Sequence, residues 1–234
     1  MCASIVSSHM IGAIAKSEGF RFEATLTGFK WIGTRAAELD RDEGYRSIFC
    51  YEEAIGFCCG GVIFDKDGIS AMAVFAQLAC NVYSRGLTLA SHLQTLYDKY
   101  GEFVSNNGYY IYEDKMVVFE IFDRIRRNGY PRAVGGYDVE FIRDLGDPGY
   151  DSGQPDNRPV LPTSASSPMM TISFKNGCVA QLRPSGTEPK FKYYLEMRGR
   201  PGVPRREVEA DLLLMSDIIL EELLKPSQSG LVKV

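Results

Sequence analysis

The sequence has few of the side chains that hold transition metals. It contains two histidines, His9 and His92, which are far apart and isolated, and six cysteines without C-x-x-C spacing. A zinc site needs several such ligands close together, so we expect no metal ligands in this chain. Most of the cysteines have apolar neighbours, which predicts buried free thiols.

Long apolar runs and a strong net charge are also absent. No segment is apolar over the length of a membrane span, and the first residues lack the charged start and apolar core of a secretory signal. A net charge of −4 disfavours a general nucleic-acid binder. We therefore expect a cytoplasmic protein that binds neither nucleic acid nor a membrane.

The most informative segment that is present is a basic loop at residues 183–192, Arg-Pro-Ser-Gly-Thr-Glu-Pro-Lys-Phe-Lys. A guanidinium matches two phosphate oxygens, hydroxyls donate to a third, and a glycine lets backbone N–H groups converge on an anion. The candidate phosphate-binding residues are Arg183, Ser185, Gly186, Thr187, Lys190 and Lys192. The alternative is a tight surface turn with incidental basic residues.

The pattern on both sides of the basic loop favours phosphate binding. Residues 171–175 alternate like a strand, Asn176-Gly177 is a hairpin signal, and apolar side chains alternate again from 191 to 197. The basic loop therefore joins two predicted antiparallel strands, which would hold it rigidly enough to bind a ligand.

A second candidate site is an acidic loop at residues 52–56, Glu-Glu-Ala-Ile-Gly. Glu52 and Glu53 follow a predicted strand, and ligand loops of open α/β sheets lie at the carboxyl ends of strands. Carboxylates there can accept hydrogen bonds from sugar hydroxyls. A solvated acidic turn has the same composition and is the alternative.

The order of the predicted elements gives the fold class. Strands and helices alternate over residues 1–101, which predicts a parallel α/β layer. Residues 102–234 predict a smaller α+β domain with an antiparallel sheet, interrupted by an irregular polar excursion from 144 to 168.

Local signals predict where single elements begin. Residues 3–6 form the first predicted strand, and Ser70 is expected to cap an apolar helix. A second helix is predicted from Leu89 to Tyr100, and a last one from about Pro204 to Leu224 with the proline near its first turn. Trp31 is expected in the core.

Together these segments resemble the α-D-phosphohexomutase superfamily over nearly the whole chain, and most of all its phosphopentomutase/phosphoglucomutase-2 group with the glucose-1,6-bisphosphate synthase relative. The motifs that carry the resemblance are Thr27-Gly28-Phe29-Lys30, the acidic loop, Asp65-Lys66-Asp67-Gly68, Leu161-Pro162-Thr163-Ser164 and the basic loop. The resemblance implies the third of four family domains for residues 1–101 and the fourth for residues 102–234.

The resemblance also implies roles for single residues. Thr27 and Gly28 would line the cleft, Glu52 and Glu53 would bind sugar hydroxyls, and Lys66 is a candidate acid or base. The basic loop would clamp the phosphate that is not transferred. At Lys192 many relatives have an arginine, so the charge is kept and the planar fork is lost.

Two departures from the family pattern bear on activity. Hexose-preferring members have a serine at the position of Ala54, which leaves strict glucose recognition in doubt. The family's phosphoserine loop, Ser-His-Asn-Pro, and its magnesium loop of closely spaced aspartates do not occur in this sequence. Ser8-His9 is followed by Met10 and does not match.

The resemblance therefore implies the C-terminal half of a phosphosugar mutase that is inactive alone. It would bind glucose 1-phosphate, ribose 1-phosphate or a bisphosphate. No cofactor is expected in this chain, whereas the full-length family enzyme uses Mg²⁺ and a sugar bisphosphate. Three alternatives stay open: a piece of a mutase or of a bisphosphate synthase, a non-catalytic phosphosugar-binding protein, and a partner of a full-length mutase.

Overall fold

The structure is a computed structural model that describes residues 1–200 and 202–234. Its residues divide into two compact units, Met1–Phe103 and Val104–Val234. The first unit contains a largely parallel sheet and the second an antiparallel sheet. The predicted fold class is therefore confirmed.

The first unit is a four-stranded sheet with four helices. Its strands are β1 Cys2–Ser4, β2 Glu23–Thr25, β3 Phe49–Glu52 and β4 Gly56–Cys59, and its helices are α1 Met10–Glu18, α2 Phe29–Arg41, α3 Gly68–Ser84 and α4 Leu89–Tyr100. The sheet order is β2-β1-β3-β4, in which β1 is parallel to β2 and β3, and β4 is antiparallel to β3. The three parallel strands therefore end at one edge.

The core of the first unit lies between α2 and the sheet. Buried side chains of α2 recur at helical spacing, namely Phe29, Ile32, Ala36 and Leu39. They pack on a row of three thiols, because Cys2 is registered beside Cys50 and Cys50 beside Cys58. Four of the six cysteines are buried and all are free, as the apolar neighbours predicted.

Over the residues described, the second unit is an eight-stranded sheet with two helices. Its strands are β5 Phe103–Ile111, β6 Ala133–Val134, β7 Tyr137–Asp144, β8 Tyr150–Asp151, β9 Met170–Phe174, β10 Cys178–Pro184, β11 Lys190–Arg198 and β12 Val232–Lys233, and its helices are α5 Met116–Arg126 and α6 Arg205–Leu224. The sheet order is β12-β5-β11-β10-β9-β7-β6, and β8 pairs with β7.

Alternation along β11 decides which side of this sheet is buried. Its apolar side chains Phe191, Tyr193, Leu195 and Met197 belong to one core with α5 and α6. The predicted stripe of α6 is buried as expected, at Val208, Leu212, Met215, Ile219 and Leu223. The opposite face of β11 carries Lys192 and Glu196, which are half-buried.

Two local expectations need correction. The first strand is Cys2–Ser4, so it ends before residues 5 and 6. Trp31 is 38% exposed, with the Lys30 ammonium 5.6 Å from its ring centroid, and is not a core residue.

The polar excursion after β7 is held by a buried carboxylate. Asp144 is fully buried and accepts from Arg126 Nε at 2.6 Å, from the Tyr130 hydroxyl at 3.0 Å and from the Gly146 amide at 2.8 Å. Burial and the neighbouring carboxylate raise the pKa of Tyr130 well above its ordinary value. The excursion is thus ordered at its base, and it contains the short strand β8.

Leu212 and Leu213 give a matched test of this core. Leu212 is 1% exposed and its neighbour Leu213 is 56% exposed. We expect Leu212→Ala to lower the free energy of unfolding by about 2–5 kcal/mol, because it leaves a cavity. Leu213→Ala should change it by less than about 0.5 kcal/mol. Urea unfolding followed by circular dichroism measures both, and similar effects would contradict the placement of α6.

Candidate functional site

In the first unit, the candidate residues lie where parallel strands end. β2 leads through Thr27 and Gly28 into α2, and β3 ends at Glu52, the first residue of the acidic loop. Gly28 is the N-cap of α2 with φ of 101°, a conformation that glycine adopts without strain. The carboxyl edge of a parallel sheet is where ligands bind in open α/β folds.

Glu52 and Lys66 meet over Gly56. A Cβ placed on Gly56 would lie 2.9 Å from Glu52 Oε1 and 3.1 Å from Lys66 Cδ. A methyl group at this position of the hairpin between β3 and β4 would displace the flexible side chains of Glu52 and Lys66. The side chains of Glu52 and Lys66 therefore lie on the same side of the hairpin, beside Gly56.

The ammonium group of Lys66 lies near the start of α2. Its Nζ is 5.5 Å from the centroid of the Phe29 ring and 3.9 Å from Asp65 Oδ1. Both partners of the Asp65 ion pair are more than half exposed, so the pair adds little stability. The N-terminus of α2 carries partial positive charge, which favours an anion near this lysine.

Glu53 has different neighbours from Glu52. Its Oε2 accepts a long hydrogen bond of 3.5 Å from the Ser4 hydroxyl, which is 2.7 Å from the Ser7 hydroxyl. Both serines are buried and lie at or just after the end of β1. The two glutamates of the acidic loop therefore differ, with Glu52 beside a lysine and Glu53 anchored to the strand end.

In the second unit, the basic loop closes the hairpin between β10 and β11. The Ser185 amide donates to the Lys190 carbonyl at 2.7 Å, and the Lys190 amide donates to the Glu188 carbonyl at 2.7 Å. Gly186 and Thr187 are exposed at the tip, whereas Ser185 is half-buried. The tip thus presents backbone and hydroxyl donors on a loop fixed at both ends.

Two positive charges stand opposite each other at the root of the basic loop. Arg183 of β10 is registered directly against Lys192 of β11, and both side chains are half-buried. Directly opposed residues of an antiparallel pair share a face, and like charges in that position repel. An anion between them would offset this repulsion.

Lys190 is held on the other side of the basic loop. Its ammonium pairs with Glu188 at 2.5 Å and lies 4.5 Å from the centroid of the Tyr109 ring. The hydrogen bond between the two groups raises the pKa of Lys190 and lowers the pKa of Glu188. Lys190 is therefore charged and paired with Glu188, while Arg183 Nε donates to the Pro184 carbonyl at 3.3 Å.

Sequence reasoning missed the side chains that position these candidates. The Ser4 hydroxyl, itself beside the Ser7 hydroxyl, contacts the Glu53 carboxylate. The Lys66 ammonium lies over the Phe29 ring, and the Lys190 ammonium lies over the Tyr109 ring. The serines could have been noticed as polar residues in an otherwise apolar strand end. The two aromatic contacts have no sequence signal, because each joins segments that are distant in the chain.

The described part of the chain holds neither a metal cluster nor a membrane span. Over residues 1–200 and 202–234, no three His, Cys, Asp or Glu side chains are arranged to hold a metal ion. No helix found in those residues is both long and apolar enough to cross a bilayer.

Comparison with protein families and curated proteins bears out the resemblance drawn from the motifs. Residues 1–100 match the family model described as "Phosphoglucomutase/phosphomannomutase, alpha/beta/alpha domain III". Glucose 1,6-bisphosphate synthase of Mus musculus is 44% identical over 99% of this chain, and phosphopentomutase of Homo sapiens is 43% identical over 99%. Phosphoribomutase of Saccharomyces cerevisiae is 38% identical over 99%.

These matches cover only part of each relative. The chain spans 38% of the length of the mouse and human proteins and 39% of the yeast protein, and it matches their C-terminal part. Among solved structures, the open form of parafusin, a phosphoglucomutase from Paramecium, superposes with a TM-score of 0.70 at 18% identity, over 97% of this chain and 38% of its own. That likeness bears on the fold alone.

The residue after Lys66 gives a test of how this part of the site is held. Asp67, and not Ser70 as the sequence suggested, caps α3, because its two carboxylate oxygens accept from the Ile69 and Ser70 amides. These hydrogen bonds, the Ile69 amide first, hold the pKa of Asp67 below its ordinary value of 3.8. Its stabilising effect is thus complete above that pH and is lost as the pH falls through the lower, folded-state pKa.

We expect Asp67→Ala to lower the melting temperature at pH 7, and the difference from wild type to vanish at acid pH. Asp67→Asn is the control, because it keeps an acceptor without the charge and should lose less. Thermal unfolding followed by circular dichroism across the pH range measures this. An equal difference at pH 7 and at acid pH would contradict the role of the carboxylate.

Proposed function

We propose, because the chain belongs to the α-D-phosphohexomutase superfamily, that it supplies the sugar- and phosphate-recognition half of a phosphosugar mutase. The observation that carries this proposal is the basic loop. Its closed hairpin presents hydroxyl and amide donors at the tip and the opposed charges of Arg183 and Lys192 at the root. We place this activity in the cytoplasm.

We assign the two units to the two C-terminal family domains. Residues 1–101 would act as the third domain, which contributes the acidic loop, and residues 102–234 as the fourth, which contributes the basic loop. The match of residues 1–100 to a third-domain model supports the first assignment. The order of the motifs along the chain supports the second.

The basic loop would bind the phosphate that is not transferred. Arg183 can donate two parallel N–H bonds to a phosphate, while Lys192 adds charge without a fork. Ser185 and Thr187 would donate hydroxyl hydrogens, and Gly186 lets the backbone approach the anion. Each charge-assisted contact contributes roughly 1.5–3 kcal/mol to binding. Several such contacts together support micromolar affinity, after the entropy cost of ordering the ligand and the side chains is subtracted.

The acidic loop would bind the sugar ring. Glu52 and Glu53 offer carboxylate acceptors for hydroxyl groups, and the Ser4 hydroxyl lies 3.5 Å from Glu53 Oε2. Lys66, beside Glu52 and the start of α2, is the candidate acid or base near the reacting phosphate. Thr27 and Gly28 would line the same pocket at the strand ends.

Asp40-Arg41-Asp42 and Asp65-Lys66-Asp67 each offer two carboxylates, which are too few for the magnesium loop of the family. Asp67 spends both oxygens on capping α3. Asp40 Oδ2 accepts from the Ser47 amide at 2.8 Å. We therefore assign metal-assisted chemistry and the phosphoserine to the part of a full-length mutase that this chain does not match.

A glucose-1,6-bisphosphate synthase is the second candidate for the whole enzyme. A mouse protein of that name is as similar to this chain as the phosphopentomutases are. Ala54, in place of the serine of hexose-preferring members, favours a pentose or a relaxed preference. Glucose 1-phosphate, ribose 1-phosphate and the bisphosphate are thus the ligands to test. If the chain is a non-catalytic phosphosugar-binding protein or a partner of a full-length mutase, we expect it to bind these ligands with the same affinity.

The Arg183 assignment predicts a large loss of affinity. We expect Arg183→Ala to weaken binding of glucose 1-phosphate or ribose 1-phosphate by about 2 kcal/mol or more, because a bidentate charged partner is removed. Isothermal titration calorimetry of the full chain measures it. Arg183→Lys should recover only part of the loss, since the charge returns without the fork.

Lys175→Ala is the matched control for this measurement. Lys175 follows β9 at the opposite end of the β9–β10 hairpin, where its exposed ammonium pairs with Asp138. We expect unchanged affinity in this variant. No heat with any of the sugar phosphates in a folded sample, or equal affinity in Arg183→Ala and wild type, would end the proposal.

The chain alone should not turn substrate over. The residues that would form the phosphoserine and the magnesium loop are absent from its sequence, so the covalent phosphate donor is missing. We expect no conversion of glucose 1-phosphate or ribose 1-phosphate by the pure chain with Mg²⁺ and a sugar bisphosphate added. Turnover that tracks this chain through purification would overturn the assignment of chemistry to the other half.

A further inference from the structure

The helix α3 combines an apolar sequence with an exposed position. Its 17 residues, Gly68–Ser84, include no Asp, Glu, Lys or Arg. All of them are described, and Val82 is the one that is buried. We define the α3 face as its six exposed large apolar side chains, which are Ile69, Met72, Val74, Phe75, Leu78 and Tyr83, each between 42% and 73% exposed.

An ordinary soluble monomer does not leave such a helix exposed to water. A helix that is apolar all round is normally buried, and soluble monomers rarely expose a contiguous apolar patch of more than a few hundred Å². The other long helix, α6, shows the usual arrangement, because its apolar stripe is buried and its charged residues face outward. The α3 face therefore requires a cover.

The shape of the face indicates what kind of cover it needs. At 100° per residue, its six side chains spread over about 220° of the helix circumference. The apolar stripe that a surface helix turns toward a single packing surface is roughly 100° wide. The partner must therefore surround α3 with more than one element, as a folded domain does.

Chemistry narrows the choice further. An interfacial membrane helix carries lysine and arginine on its polar side, and α3 has neither. A two-fold contact with a second copy would bring one stripe of α3 against itself and leave the rest of the circumference wet. A partner with an uncharged, concave apolar surface fits best.

We propose that the α3 face docks onto the N-terminal portion of a phosphohexomutase. The mouse and human relatives carry more than half of their length outside the part that this chain matches, and the match lies at their C-terminal end. A folded portion of that size can enclose a helix. The α3 face contains none of the proposed phosphosugar ligands, so failure of docking would leave the phosphate-binding proposal intact.

Co-expression tests this directly. The full chain is co-expressed with the N-terminal part of the mouse relative that the match leaves uncovered, and complex formation is measured by size exclusion with light scattering. We expect a one-to-one complex in which the amides of α3 exchange with deuterium more slowly than in the chain alone. Phe75→Asp should weaken the complex at least about tenfold, as loss of a central apolar contact does.

Val160→Asp is the matched control. Val160 is 83% exposed and Phe75 56%, so neither variant should change the melting temperature of the isolated chain. We expect Val160→Asp to bind the N-terminal part like wild type. Equal binding by Phe75→Asp and wild type would overturn the proposal.

A fusion of the two parts in one polypeptide guards against poor behaviour of the N-terminal part alone. In the fusion, Phe75→Asp should lower the melting temperature, whereas in the isolated chain it should not. The proposal is refuted if neither the fusion nor the co-expression gives a folded product. It is also refuted if the α3 amides exchange equally fast in the complex and in the chain alone. A dimer of this chain that Phe75→Asp dissociates would refute it as well.

Discussion

The register between β10 and β11 is the constraint on which the basic loop depends. The bond from the Ser185 amide to the Lys190 carbonyl closes the hairpin, and the same register sets Arg183 against Lys192. A slip of β11 by one residue would turn Phe191 and Leu195 out of the core and Lys192 into it. Burial of one face of β11 therefore positions the charged side chains on the other face. The candidate anion site thus depends on the hydrophobic core of the second unit.

The first unit reaches a comparable result by a different route. Here the parallel direction of β1, β2 and β3 brings three loops to one edge, although those loops are far apart in sequence. The side-chain contacts at that edge distinguish the two glutamates. Glu52 lies beside Lys66 near Gly56, whereas Glu53 contacts the Ser4 hydroxyl. Fold topology thus supplies proximity, and local side-chain contacts supply orientation.

The sequence predicted both sheets, the helices α3, α4 and α6, and the two loops because each has a strong local signal. Alternation places β11, the Asn176-Gly177 turn places the β9–β10 hairpin, and helical spacing places α6. It failed where two local signals compete or where the decisive contact is distant. Asp67 and Ser70 are both good capping residues, and only the backbone geometry chooses between them. The contact of Lys66 with Phe29 joins two segments that no local pattern connects.

Helix α3 shows that pattern and composition carry different information. In α6 the apolar residues recur at one spacing, so the sequence tells which side is buried and the structure agrees. In α3 they occur at almost every position, so composition indicates burial but no pattern selects a side. Such a sequence makes sense only for a helix enclosed from several directions. Because the N-cap of α3 is Asp67, next to Lys66, a partner that encloses α3 would also affect the position of the candidate acid or base. Burial of an apolar helix and placement of a functional lysine would then be two effects of one interface.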